Sequence, residues 1–304
     1  MNKFLFRIAI FFALLFIIDR MAGYTFAYMS KHSKGGYVGH HNYITDSVHE
    51  DLLIFGSSRA IHHYNPQIFT DSLGLSCYNC GQDGNGILLY YGWWQIIKEH
   101  YKPKIIIYDI TPSFDLHIGE DNHKYLGWLK ELYERANISE IFEAVDKTEK
   151  YKMMSKMYRY NSKFHQIVAD FVYSRSFVRA KGFLPLQGEM DTMRIKKKTK
   201  NVPMKKIQLD PLKTEYLNKF IDEVEGVKLI FTVSPMWYGI SPEQLSPIKD
   251  ICQQRNIPLL DFSNSPKYVH NNEYFKDGGH LNARGADEFT RDLIKVLRKE
   301  TIIE

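Results

Sequence analysis

Apolar residues along the chain fall into short continuous blocks, separated by longer stretches in which they recur every third or fourth position. Leu52–Phe55 is one such block and stops at Gly56; Ser76–Asn79, Lys104–Asp109 (built on Ile105-Ile106-Ile107), Val227–Val233 and Pro258–Phe262 have the same form. Short apolar runs closed by turn residues are what strands buried on both faces require. Between them Asn65–Leu73, Ile87–His100, Leu212–Val224, Glu243–Arg255 and Ala283–Arg298 carry helical spacing. The alternation predicts an α/β fold: a three-layer αβα, doubly wound (flavodoxin-like) parallel sheet with its chemistry at the C-terminal strand ends. The gap Thr111–Asp210 is too long for a connection. Its Tyr- and Lys-rich stretches, such as Tyr125–Arg135 and Lys147–Tyr160, predict a helical insert over about 111–210 beside those strand ends.

The N-terminus follows another pattern. Phe4 to Ile18 is apolar apart from Arg7 and is preceded by Lys3. The unbroken run Ile8–Ile18 is shorter than the roughly 20 residues of a membrane span. Counting from Phe4, with Arg7 snorkelling, and continuing past Asp19-Arg20 to Met29 supplies the length, with Tyr24, Phe26 and Tyr28 as an interfacial belt. A signal peptide shares the charged and apolar regions, but no Ala-x-Ala-like cleavage site follows; a buried helix is the third reading. The expectation is one uncleaved transmembrane helix at 1–29, N-terminus inside, then a polar His/Gly-rich tether at 30–50. An α/β domain at 51–300 would lie outside the membrane, making a single-pass, extracytoplasmic protein.

Composition narrows the classes. With 304 residues, 44% hydrophobic and 25% charged, the chain can bury a sizeable core in one large domain or two small ones. Aromatics at 14%, mostly Tyr and Phe, fit a Tyr-rich core or a surface for flat ligands. Much of the +5 charge comes from the basic run Arg194–Lys206. That run is either a solvated loop or a contact for an anionic glycan or lipid headgroup; with no nucleic-acid module beside it, nucleic acid is not an expected partner. Cys77 and Cys80 sit on a strand and have no second pair, and Cys252 leaves an odd count, so buried free thiols are expected rather than a disulfide framework. His40-His41 and His62-His63 lack further ligands at helix or strand spacing, so neither metal nor cofactor is assigned.

Three places carry candidate chemistry. In Asp277-Gly278-Gly279-His280, an acid stands three residues before a histidine on a Gly-Gly turn that opens a helix. Such a turn presents an imidazole while a carboxylate fixes its tautomer. Ser58, in Gly56-Ser57-Ser58-Arg59, follows the first strand and places a hydroxyl near the positive end of a helix dipole; alone, the same residues are equally a turn with a helix cap. Gly84 lies in the loop after the second strand, where a glycine lets its N–H approach an oxyanion or simply makes a tight turn. The spacing there fits neither a Walker loop nor a dinucleotide fingerprint. Serine, histidine and acid together satisfy the logic of a catalytic triad. Asp109 ends strand three, and Asp115, Trp237 and Tyr238 follow strands three and four; Asp109, Trp237 and Tyr238 are expected as substrate contacts, Trp237 and Tyr238 offering rings to stack on a sugar, although core or surface packing accounts for them too. An α/β-hydrolase elbow does not fit: Ala60 replaces the second glycine, the serine follows the first strand, and acid and base share one turn.

These blocks resemble the SGNH, or GDSL-type, hydrolase superfamily. Gly56-Ser57-Ser58-Arg59 stands where the Gly-Asp-Ser block belongs, Asn79–Gly84 resembles the second block, and Asp277-Gly278-Gly279-His280 matches the final Asp-x-x-His block. The similarity covers 51–110 and 212–300. It implies Ser58 as nucleophile, His280 as base, Asp277 as its orienter, and the Ser58 and Gly84 N–H groups as oxyanion donors. Ser57 departs from the usual Asp, and the third block, Gly-x-Asn-Asp, is replaced by Tyr108-Asp109-Ile110-Thr111-Pro112-Ser113. The Asn that completes the oxyanion hole therefore comes from elsewhere or is missing. The resemblance implies a serine esterase or O-acyltransferase acting on a carbohydrate ester, with O-acetyl as the expected acyl group and with partner proteins in a polysaccharide-modification system. The alternative is a catalytically weak SGNH-fold protein that binds glycan or a partner in surface-polymer assembly.

Overall fold

The computed structural model describes residues 2–173, 180–191 and 208–303. The basic run Arg194–Lys206 lies outside the described residues. Two compact units emerge: Met1–Ser47 with Asn122–Val178, and Val48–Asp121 with Arg179–Glu304. In chain order the first unit opens with α1 (Asn2–His32) and α2 (Gly36–Asp46). The second begins with β1 (Leu52–Gly56), α3 (Ser58–His63), α4 (Pro66–Leu73), β2 (Cys77–Asn79), α5 (Ile87–Ile97), β3 (Ile105–Asp109) and α6 (Pro112–Asp115). The first unit resumes with α7 (Ile138–Val145), α8 (Glu149–Lys152) and α9 (Phe164–Val172). The second closes with α10 (Pro211–Glu223), β4 (Lys228–Val233), α11 (Pro242–Arg255), β5 (Leu259–Asp261) and α12 (Ala283–Lys299).

The second unit is an α/β domain on a five-stranded sheet in the order β2-β1-β3-β4-β5, all parallel. Side chains alternate across each strand. Leu52, Ile54, Ile107 and Ile230 face a cluster closed by Phe289, Leu293 and Leu297 of α12. Each of those three α12 side chains is fully buried, worth about 1.5–3 kcal/mol apiece. Phe55, Tyr108 and Phe231 face the other way, into an aromatic layer with Tyr90 and Phe220. Much of the aromatic content of this unit is therefore core. The order reverses at β1 and β3, where a crevice opens beyond the strand ends. Register aligns Gly56 with Asp109 and Asp109 with Thr232, so three strands end at one level. Gly56 has φ +138°, and a Cβ there would lie 2.7 Å from the Asp109 carbonyl oxygen. Only glycine lets β1 turn sharply into α3.

The first unit departs from expectation. Among the described residues no helix is long and apolar enough to cross a membrane. This overturns the expected transmembrane helix at 1–29 and the single-pass placement built on it. The unbroken apolar run ends at Ile18, and the extension to Met29 is engaged with protein. Asp19 accepts hydrogen bonds from the Ser155 hydroxyl and from the N–H groups of Lys156 (2.9 Å) and Met157 (3.1 Å). Phe26 packs on Tyr160 and Phe164, and the Ser30 hydroxyl donates to Glu131 at 2.7 Å. The large apolar side chains from Phe4 to Ile18 are exposed. Residues 30–50, expected as a tether, contain α2, whose Val38, His40, His41 and Ile44 are buried. In the expected insert, 111–121 belong with the sheet. Tyr125–Arg135 and Lys147–Tyr160 form short 3-10 turns and the single turn α8 rather than longer helices. Tertiary partners override helical propensity there: Glu131 is drawn to Lys163 at 2.9 Å, and Arg159 to Glu134.

Candidate active site

Ser58 opens α3 directly after the Gly56 turn, with Ser57 at the N-cap. Its Oγ lies 2.8 Å from His280 Nε2. The partner turn is folded by one carboxylate. Asp277 Oδ1 accepts from the N–H of Gly279 (2.8 Å), the N–H of His280 (3.0 Å) and His280 Nδ1 (2.9 Å), and Oδ2 lies 3.1 Å from the same Nδ1. These contacts assign the ring proton to Nδ1, leaving Nε2 to accept from the Ser58 hydroxyl. Burial resists ionisation of Asp277, but the hydrogen bonds from His280 and Gly279 prevail and hold its carboxyl at about 2. It is therefore an anion wherever the ring needs one.

A buried relay carries this pair. The Leu281 N–H donates to His63 Nε2 at 2.9 Å, which requires a neutral ring with its proton on Nδ1. That Nδ1–H faces Ser234 Oγ at 3.0 Å, and the Ser234 hydroxyl donates to Asp109 Oδ2 at 2.9 Å. Asp109 Oδ1 accepts from the Ser234 N–H (2.7 Å) and the Tyr64 hydroxyl (2.9 Å). Burial pushes the Asp109 carboxyl up from its ordinary value, while Arg59, Ser234 and Tyr64 pull it back. The Arg59 guanidinium and the donors from Ser234 and Tyr64 favour the ionised form against that burial. Asp109, expected as a substrate contact, is fully buried and fully engaged. It is an anchor beneath the site.

A cavity of about 300 Å³ opens over Ser58 and His280, lined also by Arg59, Thr111, His117, Met236 and Ile240. Its floor is the strap 111–117 after β3. Thr111 Oγ1 lies 2.7 Å from Ser57 Oγ, Asp115 accepts from the Thr111 N–H and the Tyr108 hydroxyl (2.7 Å each), and Lys213 Nζ donates to the carbonyls of Ser113 (3.0 Å) and His117 (2.8 Å). Burial pushes the Asp115 carboxyl up to about 7 against those hydrogen bonds.

Other expected residues sit elsewhere. Gly84 adopts φ +65° in a loop that meets α3 through Asp83 Oδ1, 3.3 Å from His62 Nε2, but it is not among the cavity-lining residues. Neither are Trp237 and Tyr238. Trp237 instead buttresses the acid turn: its backbone N–H donates to the Gly278 carbonyl at 3.2 Å and its indole N–H to Asn272 at 2.9 Å. Sequence reasoning assigned no part to Arg59, His63, Lys213 or Ser234. Arg59 was visible only as the residue after Ser58 and His63 only as half of the His62-His63 pair, and Lys213 and Ser234 carry no local signal. For metal, the described residues bring together His123, Asp146 and Glu149 in the first unit. Lys152 Nζ already sits 3.3 Å from Asp146 and 2.7 Å from Glu149, supplying the counter-charge.

No family model and no curated protein sequence matches the chain. Among solved structures it is similar to a "putative platelet activating factor" from Streptococcus pneumonia, at 12% identity over 89% of this chain and 95% of that one, with a TM-score of 0.41.

Proposed function

We propose that the chain is an SGNH-type serine esterase or O-acyltransferase. The observation that carries this reading is the unbroken contact sequence Ser58 Oγ–His280 Nε2 and His280 Nδ1–Asp277, opening on a cavity. Ser58 Oγ attacks the ester carbonyl while His280 Nε2 takes its proton. The tetrahedral adduct collapses, His280 returns the proton to the departing alcohol, and the acyl group remains on Ser58. Water or an acceptor hydroxyl, deprotonated by the same ring, then releases it. Hydrolysis and transfer differ only in which of the two enters. Asp277 keeps the ring in the working tautomer and stabilises the imidazolium, and the Ser58 N–H is one oxyanion donor.

The cavity is at the small end for ligand pockets, which favours a short acyl group on one sugar unit over a long-chain ester. An O-acetylated carbohydrate is the substrate class that the SGNH resemblance suggests. A fluorophosphonate probe and p-nitrophenyl acetate test the reading. Folded wild-type protein should be labelled at Ser58 and turn over the ester, and Ser58→Ala should do neither. Absence of labelling in the folded wild type, or equal labelling of Ser58→Ala, leaves the catalytically weak binding protein as the better account.

A further inference from the structure

The cavity over Ser58 and His280 is lined by polar side chains that the reaction does not use. Several are already engaged or out of reach. Thr111 Oγ1 sits 2.7 Å from Ser57 Oγ and accepts from Arg59 Nη2 at 3.2 Å. Arg59 Nη1 and His117 Nε2 have no partner, but both atoms are closed off from solvent. Two lining residues differ. Ser113 is exposed and Gln244 half-buried, and among the described residues neither the Ser113 hydroxyl nor the Gln244 amide has a hydrogen-bond partner.

Both are held from behind. Lys213 Nζ donates to the Ser113 carbonyl at 3.0 Å. Gln244 stands in the first turn of α11, which is anchored by the fully buried Leu245 and Ile248. A helical Cα–Cβ bond tilts toward the helix N-terminus, so the Gln244 side chain leans over the preceding loop, which gives Met236 and Ile240 to the cavity wall. That loop is tied to neighbours of the base: Trp237 N–H donates to the Gly278 carbonyl at 3.2 Å, and Asn264 Nδ2 donates to the Ile240 carbonyl at 2.7 Å.

We propose that Gln244 and Ser113 recognise the sugar part of the ester by binding free hydroxyls beside the acylated oxygen; this rests on the serine-enzyme reading above. A primary amide holds an acceptor oxygen and two N–H donors in one plane, so it accepts from one hydroxyl while donating to its neighbour. The Ser113 hydroxyl, able to do either, meets another hydroxyl from the strap. Neither group is charged, which suits a neutral polyol. Met236 and Ile240 offer apolar surface to the acyl methyl and the ring C–H groups, leaving orientation to the few polar contacts.

The test uses the full chain with two sugar esters, monoacetylated methyl glucoside and monoacetylated methyl xyloside, against p-nitrophenyl acetate, whose alcohol has no further hydroxyl. Wild type should release acetate from at least one glycoside. In Gln244→Ala the ratio of kcat/KM for that glycoside to kcat/KM for p-nitrophenyl acetate should fall about tenfold, and in Ser113→Ala about threefold. The loss should be carried by KM rather than kcat, as for contacts made equally in ground and transition states. Circular dichroism checks folding. A folded Gln244→Ala or Ser113→Ala that keeps the wild-type ratio overturns the proposal, because a merely structural defect would weaken both substrates alike. A loss confined to kcat overturns it, as does a wild type that cleaves p-nitrophenyl acetate but neither glycoside. Failure of the underlying reading looks different: wild type would then be inert on every ester, or Ser58→Ala as active as wild type.

Discussion

Removing His63 should damage both stability and turnover although the ring lies behind the cavity. In His63→Ala the Leu281 N–H, fully buried, loses its acceptor at 2.9 Å, and Ser234 Oγ loses the donor at 3.0 Å. An orphaned buried donor costs about 1–3 kcal/mol and a lost neutral hydrogen bond roughly 1 kcal/mol, so destabilisation of about 2–4 kcal/mol is expected. Urea unfolding followed by tryptophan fluorescence reads it. Leu281 adjoins His280, and a displacement of about 1 Å at the base costs on the order of 10²-fold in kcat. His63→Gln, which offers both a donor and an acceptor, should recover part of each. Acidity separates this cause from simple packing. Burial, with His280, Arg59 and His62 acting the same way, holds the His63 ring well below its ordinary 6.5. As pH falls under that value the unfolded chain takes up a proton that the folded chain refuses. The contribution is therefore whole above pH 6.5 and lost progressively below it. The stability gap between wild type and His63→Gln should narrow by about 1 kcal/mol between pH 6.5 and 5.5. A His63→Ala protein with an unchanged midpoint and kcat, or a gap that ignores pH, would refute the relay.

Ser57→Ala loses only the 2.7 Å contact with Thr111; kcat should stay within about threefold and stability within about 1 kcal/mol, and loss of fluorophosphonate labelling here would move the nucleophile away from Ser58. Gly56→Ala forces a Cβ to within 2.7 Å of the Asp109 carbonyl at φ +138°; a loss of at least about 2 kcal/mol is expected in urea unfolding, and a neutral result would contradict the turn geometry. Lys213→Met leaves the Ser113 and His117 carbonyls without their ammonium donor; amide exchange across 113–117 should quicken and KM rise more than kcat falls, whereas unchanged exchange would show the strap to be held otherwise.

The strands were legible because β1, β2, β3 and all of β4 after Lys228 are buried on both faces and must be apolar at successive positions. Ser58, Asp277 and His280 were legible for the opposite reason: polar groups concentrated on glycine turns at helix starts do not make a core. Asp109 was misread because an acid at a strand end looks exposed from sequence. Its partners Arg59, Tyr64 and Ser234 arrive from separate segments, and only their convergence makes it an anchor. The same dependence hid Arg59. The N-terminal segment was misread because Asp19 looks like a charge that a membrane must tolerate, whereas Ser155, Lys156 and Met157 receive it. Nothing near Asp19 in the sequence announces partners more than a hundred residues away.

The network around Asp109 has a practical consequence for anyone mapping this protein by substitution. Through Arg59 it touches the helix turn that bears Ser58, and through Ser234 and His63 it touches the backbone that bears His280. Ser58 and His280 are thus mounted on a shared chassis, and a fault in it displaces both at once. On the proposed function, Asp109, Ser234 and His63 would score in an activity screen alongside Ser58, His280 and Asp277, although none of the first three lines the cavity. A stability measurement run beside that screen is what tells the mounting from the tool.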